Sequence, residues 1–297
     1  MTTTFGKNGT REMSADRRSL RQSESHPHFV VNFVVNFVGL LLLALFLPPV
    51  ALSAPISSPL PPGRDNPSLA RFARSIVLYV SFDGHALAEI TPGNPAPQGN
   101  AGWVEALRSK ALVFEPGVFG QALVVTSNRD CQVSYPCTSA VLRASGSIAL
   151  WLKPVVLNHA GSYLWPVILD AAAGGYRVMF GRMGNPVNRE ALYAHLAHGG
   201  NSVNAVGGSM APWKPGEWHL FIVSWDRNGV EFSVDGAQPA RASLKNAIAG
   251  DQAGGFRLIA LGRGEDTFIY DELMLLNVPL NKDEIRWLWE CGAGADK

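Results

Sequence analysis

WHLFIVSWDRNGVEFSVDG, residues 218–236, and FRLIALGRGEDTFIYDELMLLNVPLNKDEIRWLW, residues 256–289, decide the fold. In the first stretch two apolar strands meet at a polar Asp226-Arg227-Asn228-Gly229 corner; the second ends in a strand, a Pro279 bend and a helix. Val230, Phe232 and Val234 fall on one side of a pleated strand, and Glu231, Ser233 and Asp235 on the other, because successive side chains alternate faces. The strand before it is apolar on both faces: Leu220 and Ile222 on one, Phe221, Val223 and Trp225 on the other. That pattern belongs to a strand covered on both sides, by a second sheet and by a further layer or loop. Asn228-Gly229 is expected to supply the positive φ of a tight hairpin and so fix the register of the pair.

The same two-residue period recurs along the chain. In SIVLYVSFDG (75–84) Ile76, Leu78, Val80 and Phe82 alternate with Val77, Tyr79 and Ser81, and GSIALWLKP (146–154), YRVMFG and ALYAHLA repeat the pattern. Glycine-rich turn signals separate these runs, with no helical period between them, so the expected class is all-β: a two-sheet antiparallel jelly-roll sandwich. A short C-terminal helix closes it, with Asn281 as cap, Glu284 completing a capping box, and Ile285, Leu288 and Trp289 on the buried side. The 30 glycines, 20 prolines and 16% charged residues suit many short strands. Outside residues 1–54, 20 basic residues stand against 21 acidic ones, a balance that offers no electrostatic case for nucleic acid.

Residues 29–48, FVVNFVVNFVGLLLLALFLP, follow a basic stretch with Arg17, Arg18 and Arg21 and precede the small residues Ala51 to Ala54. About 20 apolar residues suffice to cross a bilayer, so residues 1–54 are read as a cleaved signal peptide or a retained membrane anchor. Either sends the remainder out of the cytoplasm, to the periplasm or the cell exterior. Residues 55–74, rich in Pro and Ser, read as an extended linker; the domain spans 75–290, and 291–297 form a tail. In an oxidising compartment Cys131 and Cys137, in the Pro-bearing loop segment CQVSYPC, are expected to pair. Cys291 is left over.

Five pieces in order, SFDG (81–84), FGQALVV (119–125), SIALWLKP (147–154), WHLFIVSWD with FSVDG, and LGRG with DELMLLNVPLNKDEI, resemble a laminin-G-like domain of the concanavalin A-like lectin/glucanase superfamily. The resemblance implies two antiparallel sheets, one convex and one concave, in a group that holds sugar-binding and protein-binding modules. It also implies a structural Ca²⁺ held by Asp83 and Asp271, with Glu272 at a position where a second acid follows. Pleat parity is expected to aim Glu272 to the other face from Asp271.

Catalysis needs a constellation, and the spacing argues against one. Glucanases of this fold carry Glu-x-Asp-x-Glu on one strand, which sets two carboxyl groups about 5 Å apart. No such triplet occurs in the sequence, and GGSMA (207–211) neither follows a parallel strand nor opens a helix as a nucleophile elbow would. The expectation is therefore an exported, non-catalytic binding module for a glycan or glycosylated surface component, with an extracellular protein as the alternative partner. Sugar recognition uses aromatic faces and hydrogen-bonding arms, which makes Tyr193, His195, Arg177 and Arg182 candidates on the concave sheet. Trp165 and Trp213, in Pro-bearing stretches, are expected to offer exposed rings.

Overall fold

The structure, a computed structural model, describes residues 66–99, 112–125, 133–137, 143–157, 164–171, 175–182, 190–252, 255–260 and 267–293. The apolar run at 29–48 and Cys131 lie outside them, and the described residues all fall in the unit Pro55–Lys297.

The alternating runs become two antiparallel sheets. Sheet I is built from β1 (Ile76–Val80), β3 (Val113–Pro116), β4 (Gln121–Val125), β6 (Gly146–Val156), β11 (His219–Asp226), β12 (Gly229–Val234), β13 (Ala240–Ser243) and β15 (Thr267–Leu276). Its order is β13-β12-β11-β6-β15-β4-β3, with β1 also on β15. Sheet II takes β2 (Gln98–Gly99), β5 (Val133–Cys137), β7 (Leu164–Ala171), β8 (Tyr176–Arg182), β9 (Ala191–His198), β10 (Asn201–Ser209) and β14 (Phe256–Ala260), in the order β10-β9-β8-β7-β14-β5-β2.

Between the sheets lies one core. Leu150, Phe221, Val223, Phe232 and Tyr270 of sheet I meet Tyr135, Val178, Phe180, Leu192 and Leu196 of sheet II. Phe180, Phe221 and Phe232 pack as a ring cluster with centroids 5.2–6.2 Å apart. A second core covers the outside of sheet I, where Ala149, Trp151, Leu220, Ile222, Met274 and Leu276 receive two helices. These are α1 (Pro67–Phe72), through Leu69 and Phe72, and α2 (Lys282–Gly292), through Ile285 and Leu288. The apolar doubling of residues 219–225 thus has its cause: the further layer is helical.

The start of α2 agrees with the sequence reading, including the reciprocal capping box of Asn281 and Glu284, while its end runs past residue 290 and takes Cys291 into the last turn. Trp289 stays partly exposed but stacks on Trp151 at 5.3 Å. Three expectations change. The linker ends earlier than Arg74, because Asn66 accepts a hydrogen bond from the Ser68 N–H and Pro67 occupies the first turn, starting a helix inside residues 55–74. The hairpin after β11 stands where expected, but its two loop residues are Arg227 and Asn228, neither with positive φ. Asp226 Oδ1 instead accepts from the N–H groups of Asn228 and Gly229, at 2.7 and 3.0 Å. Gly229 is required for space, since a Cβ there would lie 2.1 Å from the Ala242 carbonyl oxygen.

The third concerns Cys137, which ends a strand and is not in a loop. Pro136 sits opposite Arg257 of β14, beyond Val133 and Ser134, the two residues that β2 pairs. Cys137 is a free, fully buried thiol, 3.9 Å from Thr91 Oγ1, and burial pushes its pKa up to about 11. A buried thiol of raised pKa is chemically inert.

Phe221 touches Phe180, Phe232 and Trp213 at once. Phe221→Ala is expected to lower unfolding stability by about 3–5 kcal/mol in urea titration, through lost burial and the cavity left behind.

Candidate functional site

With the outside of sheet I under helices, the outward face of sheet II is the large pleated surface that carries no such layer among the described residues. Its rows follow from register. Asp170, Arg177, Ala197 and Ser202 lie side by side across β7, β8, β9 and β10. Two residues along each strand the next row holds Met179, His195 and Asn204, and beyond it Gly181, Tyr193 and Val206. Burial along β10 confirms the parity, with Ser202, Asn204 and Val206 exposed while Ala205 sits in the core.

Two polar pairs mark this face. Arg177 is exposed and bonds Asp170 through Nε and Nη2, at 2.5 and 3.4 Å. His195 Nδ1 lies 2.7 Å from Asn204 Oδ1. A neutral imidazole donating from Nδ1 to that carbonyl oxygen leaves Nε2 as a hydrogen-bond acceptor.

Of the residues expected to bind ligand, the structure brings Arg177 and His195 onto this face. Arg182 is not there. Five positions from Arg177, it has opposite parity, shares the side of Val178 and Phe180, and is fully buried. Tyr193 has outward parity, yet only 3% of it is exposed, so no tyrosine ring is offered there although its row partner Val206 is open. Trp213 is no exposed ring. It stacks flat on His219 at 3.8 Å, meets Phe221 edge-on at 5.5 Å, and is 7% exposed. His219 is itself held by Asp235, 2.8 Å away, which fixes the loop after β10 over the end of the core. Trp165 falls in β7; its side chain lies outside the described residues. Asp170, Ser202 and Asn204 were missed, although the alternation of NSVNAVGGS (201–209) is enough to set Ser202 and Asn204 on one side.

Asp83 and Asp271 are brought to one place, the turn Gly117–Gly120 between β3 and β4. Asp271 Oδ2 accepts from the N–H groups of Val118 and Phe119, at 2.7 and 3.2 Å, and Asp83 Oδ1 accepts from Gln121 N–H. The fit is tight: a Cβ at Gly117 would lie 2.5 Å from Asp271 Oδ2, and one at Gly120 2.3 Å from Asp83 Oδ1. Glu272 departs from its expected direction. The β15–β6 register shifts between Asp271 and Met274, Glu272 takes φ +53°, and the bulge returns it to the same outward side as Asp271. There it accepts from Tyr79 Oη, at 2.6 Å, and from Asn66 Nδ2, tying β15 to β1 and α1.

Burial raises the Asp271 pKa well above the ordinary carboxylate value, and the negative charges of Glu272 and Asp83 add to it against the two backbone donors. Its Oδ1 is buried without a hydrogen-bond partner. The juxtaposed Asp271 and Glu272 do not offer a catalytic carboxylate pair to substrate, being 0% and 1% exposed beneath the turn and helices. Among the described residues no group of three His, Cys, Asp or Glu side chains is placed to hold a metal ion, and no helix is long and apolar enough to cross a membrane.

The profile of the concanavalin A-like lectin/glucanases superfamily matches residues 127–286. No curated protein matches the sequence. Among solved structures, domain 4 of AbnA, a GH43 extracellular arabinanase from Geobacillus stearothermophilus, in complex with arabinotriose, is similar with a TM-score of 0.51 and 16% identity. That match covers 72% of this chain and 98% of the domain. The ligand binding domain of botulinum neurotoxin serotype D in complex with N-acetylneuraminic acid gives 0.54 and 8%, covering 75% of this chain and 52% of that one. The binding domain of Paraclostridial Mosquitocidal Protein 1 gives 0.53 and 11%, covering 73% and 52%. This chain spans about half the length of both toxin domains. At these identities the likeness is one of fold.

A group whose folded pKa is raised binds more protons in the native state across the window between its unfolded value, about 3.9, and its folded one, so stability falls as pH rises through it. Asp271→Asn keeps an oxygen for the Val118 and Phe119 N–H groups and removes the charge. In chelator-treated samples, wild-type melting temperature should decline relative to this variant as pH rises above the ordinary carboxylate range, with the variant the more stable at the upper end.

Proposed function

We propose that this chain, which belongs to the concanavalin A-like lectin/glucanase superfamily, is an exported module that binds carbohydrate through the outward face of sheet II and breaks no bond. The observation that carries this reading is the face itself. Donors and acceptors on three adjacent strands, the exposed Arg177, Ser202 and Asn204 and the half-buried His195, project where no helix of the described residues covers the sheet. Hydroxyl-rich ligands are recognised by such arrays, and the sandwich of domain 4 of AbnA is complexed with a sugar. Export is proposed from residues 29–48, the run that either serves as a signal or remains as an anchor in the membrane.

The calcium implied by the resemblance is proposed at Asp271 and Asp83. The buried Asp271 Oδ1 is an oxygen a hard cation would satisfy, and a cation would relieve the repulsion among three neighbouring carboxylates. A ligand that binds only the folded chain raises its melting temperature by mass action. Added Ca²⁺ should therefore raise the melting temperature and a chelator lower it, with Asp271→Asn insensitive to both; equal melting in wild type under the two conditions would refute the site.

For the carbohydrate reading, the full chain is screened on a glycan array with Ca²⁺ and with chelator. Selective glycan binding that Arg177→Ala weakens, at unchanged melting temperature, is the expected result. Binding to no glycan in either condition defeats the reading, and capture by a protein surface alone would replace it with an adhesive role.

A further inference from the structure

The open part of the sheet II face has a floor and three sides. Ala197 is the floor: its Cα partners are Arg177 on β8 and Ser202 on β10, and its methyl group is the only side chain between those two. His195, two residues back along β9 on the same face, and its partner Asn204 close the third side, about 7 Å away at the strand rise. Long or polar side chains standing around an alanine leave a depression over it.

The polarity of this depression is alternating. Arg177 is neutralised by Asp170, through Nε and Nη2, which leaves its Nη1 as a donor beside an acceptor carboxylate. On the other side His195, with Nδ1–H engaged by Asn204 Oδ1, presents the Nε2 lone pair, while Ser202 offers a hydroxyl that both donates and accepts. A sugar hydroxyl also donates and accepts. Neighbouring hydroxyls of one ring can therefore donate to Nε2 or Asp170 and accept from the Ser202 hydroxyl or Arg177 Nη1. A carboxylate or sulfate only accepts, so against the Nε2 lone pair and the Asp170 carboxylate it would meet repulsion without exchange.

We propose that Arg177, His195, Ser202 and Asn204 around Ala197 form a subsite for one unit of an uncharged glycan, in which Asn204 is a positioning residue that fixes the His195 imidazole as an acceptor. This rests on the carbohydrate reading and narrows it to neutral sugars at a stated place. Asn204 acts through His195, so its loss and the loss of His195 remove the same interaction.

The test prints matched oligosaccharides, galactose oligomers and their galacturonate counterparts among other neutral and sialylated glycans, and measures full-chain affinity for wild type, His195→Ala, Asn204→Ala and the double variant. Melting temperatures confirm that each variant folds. Neutral glycans should bind in preference to their acidic counterparts, His195→Ala and Asn204→Ala should each weaken binding by about tenfold, and the double variant by no more than His195→Ala alone. Neutral-glycan binding untouched by either variant overturns the subsite while leaving the carbohydrate reading intact. Tighter binding of the acidic counterparts overturns the neutral class, and additive losses overturn the positioning role. Absence of binding to any glycan overturns the carbohydrate reading and the subsite with it.

Discussion

Sheet I is buried on both faces, and β15 is the strand that makes this possible. It lies between β6 and β4 and also pairs β1, so a side-chain error in it would reach three neighbours. Along its first half Phe268 and Tyr270 face the inter-sheet core while Ile269 faces the helices. After the bulge the parity inverts, with Leu273 and Leu275 inward and Met274 and Leu276 outward. One extra residue lets both halves keep apolar side chains on both faces. The two residues at the inversion, Asp271 and Glu272, take the polar duties that a doubly buried sheet otherwise leaves undone.

Those duties are structural in their geometry and costly in their electrostatics. Asp271 satisfies two N–H groups of the tight Gly117–Gly120 turn, and Glu272 anchors the Asn66 cap through which the chain enters the domain. An ionised carboxylate without full compensation is expensive to bury, which is why the Asp271 pKa rises rather than falls despite its backbone donors. The same arrangement keeps these acids from reacting with anything outside. The helices and turn that bury them lie on the outside of sheet I, the opposite side of the sandwich from the candidate face.

Period-two alternation made most of this architecture legible. Residues 219–234 read directly as two strands with inner and outer sides, and Asn281 with Glu284 read as a helix start. Parity also carried information that was not used to the full: Arg177 and Arg182 are an odd number of positions apart and cannot share a face, and Asn66-Pro67 with Leu69 and Phe72 three apart is a helix signature inside an apparently featureless linker. Other features have no local signal. A bulge at Asp271–Glu272 leaves no mark in composition, since neither residue is glycine and both suit an exposed strand. Trp213 looked exposed from its flanking prolines, whereas its burial depends on His219 and Phe221 of another element.

Separation between core and face also explains how little sequence such sandwiches need to share. Inward positions of sheet II, Val178, Phe180, Leu192 and Leu196, answer only to volume and apolarity, because they meet a core that accepts any well-packed set. Outward positions from His195 onward lie outside that core, half-buried or exposed. A fold that asks volume and apolarity rather than identity of its inward residues can be shared at identities of 8–16%. Binding chemistry on this architecture can therefore change by replacing a few outward side chains, at stability costs close to those of ordinary surface substitutions.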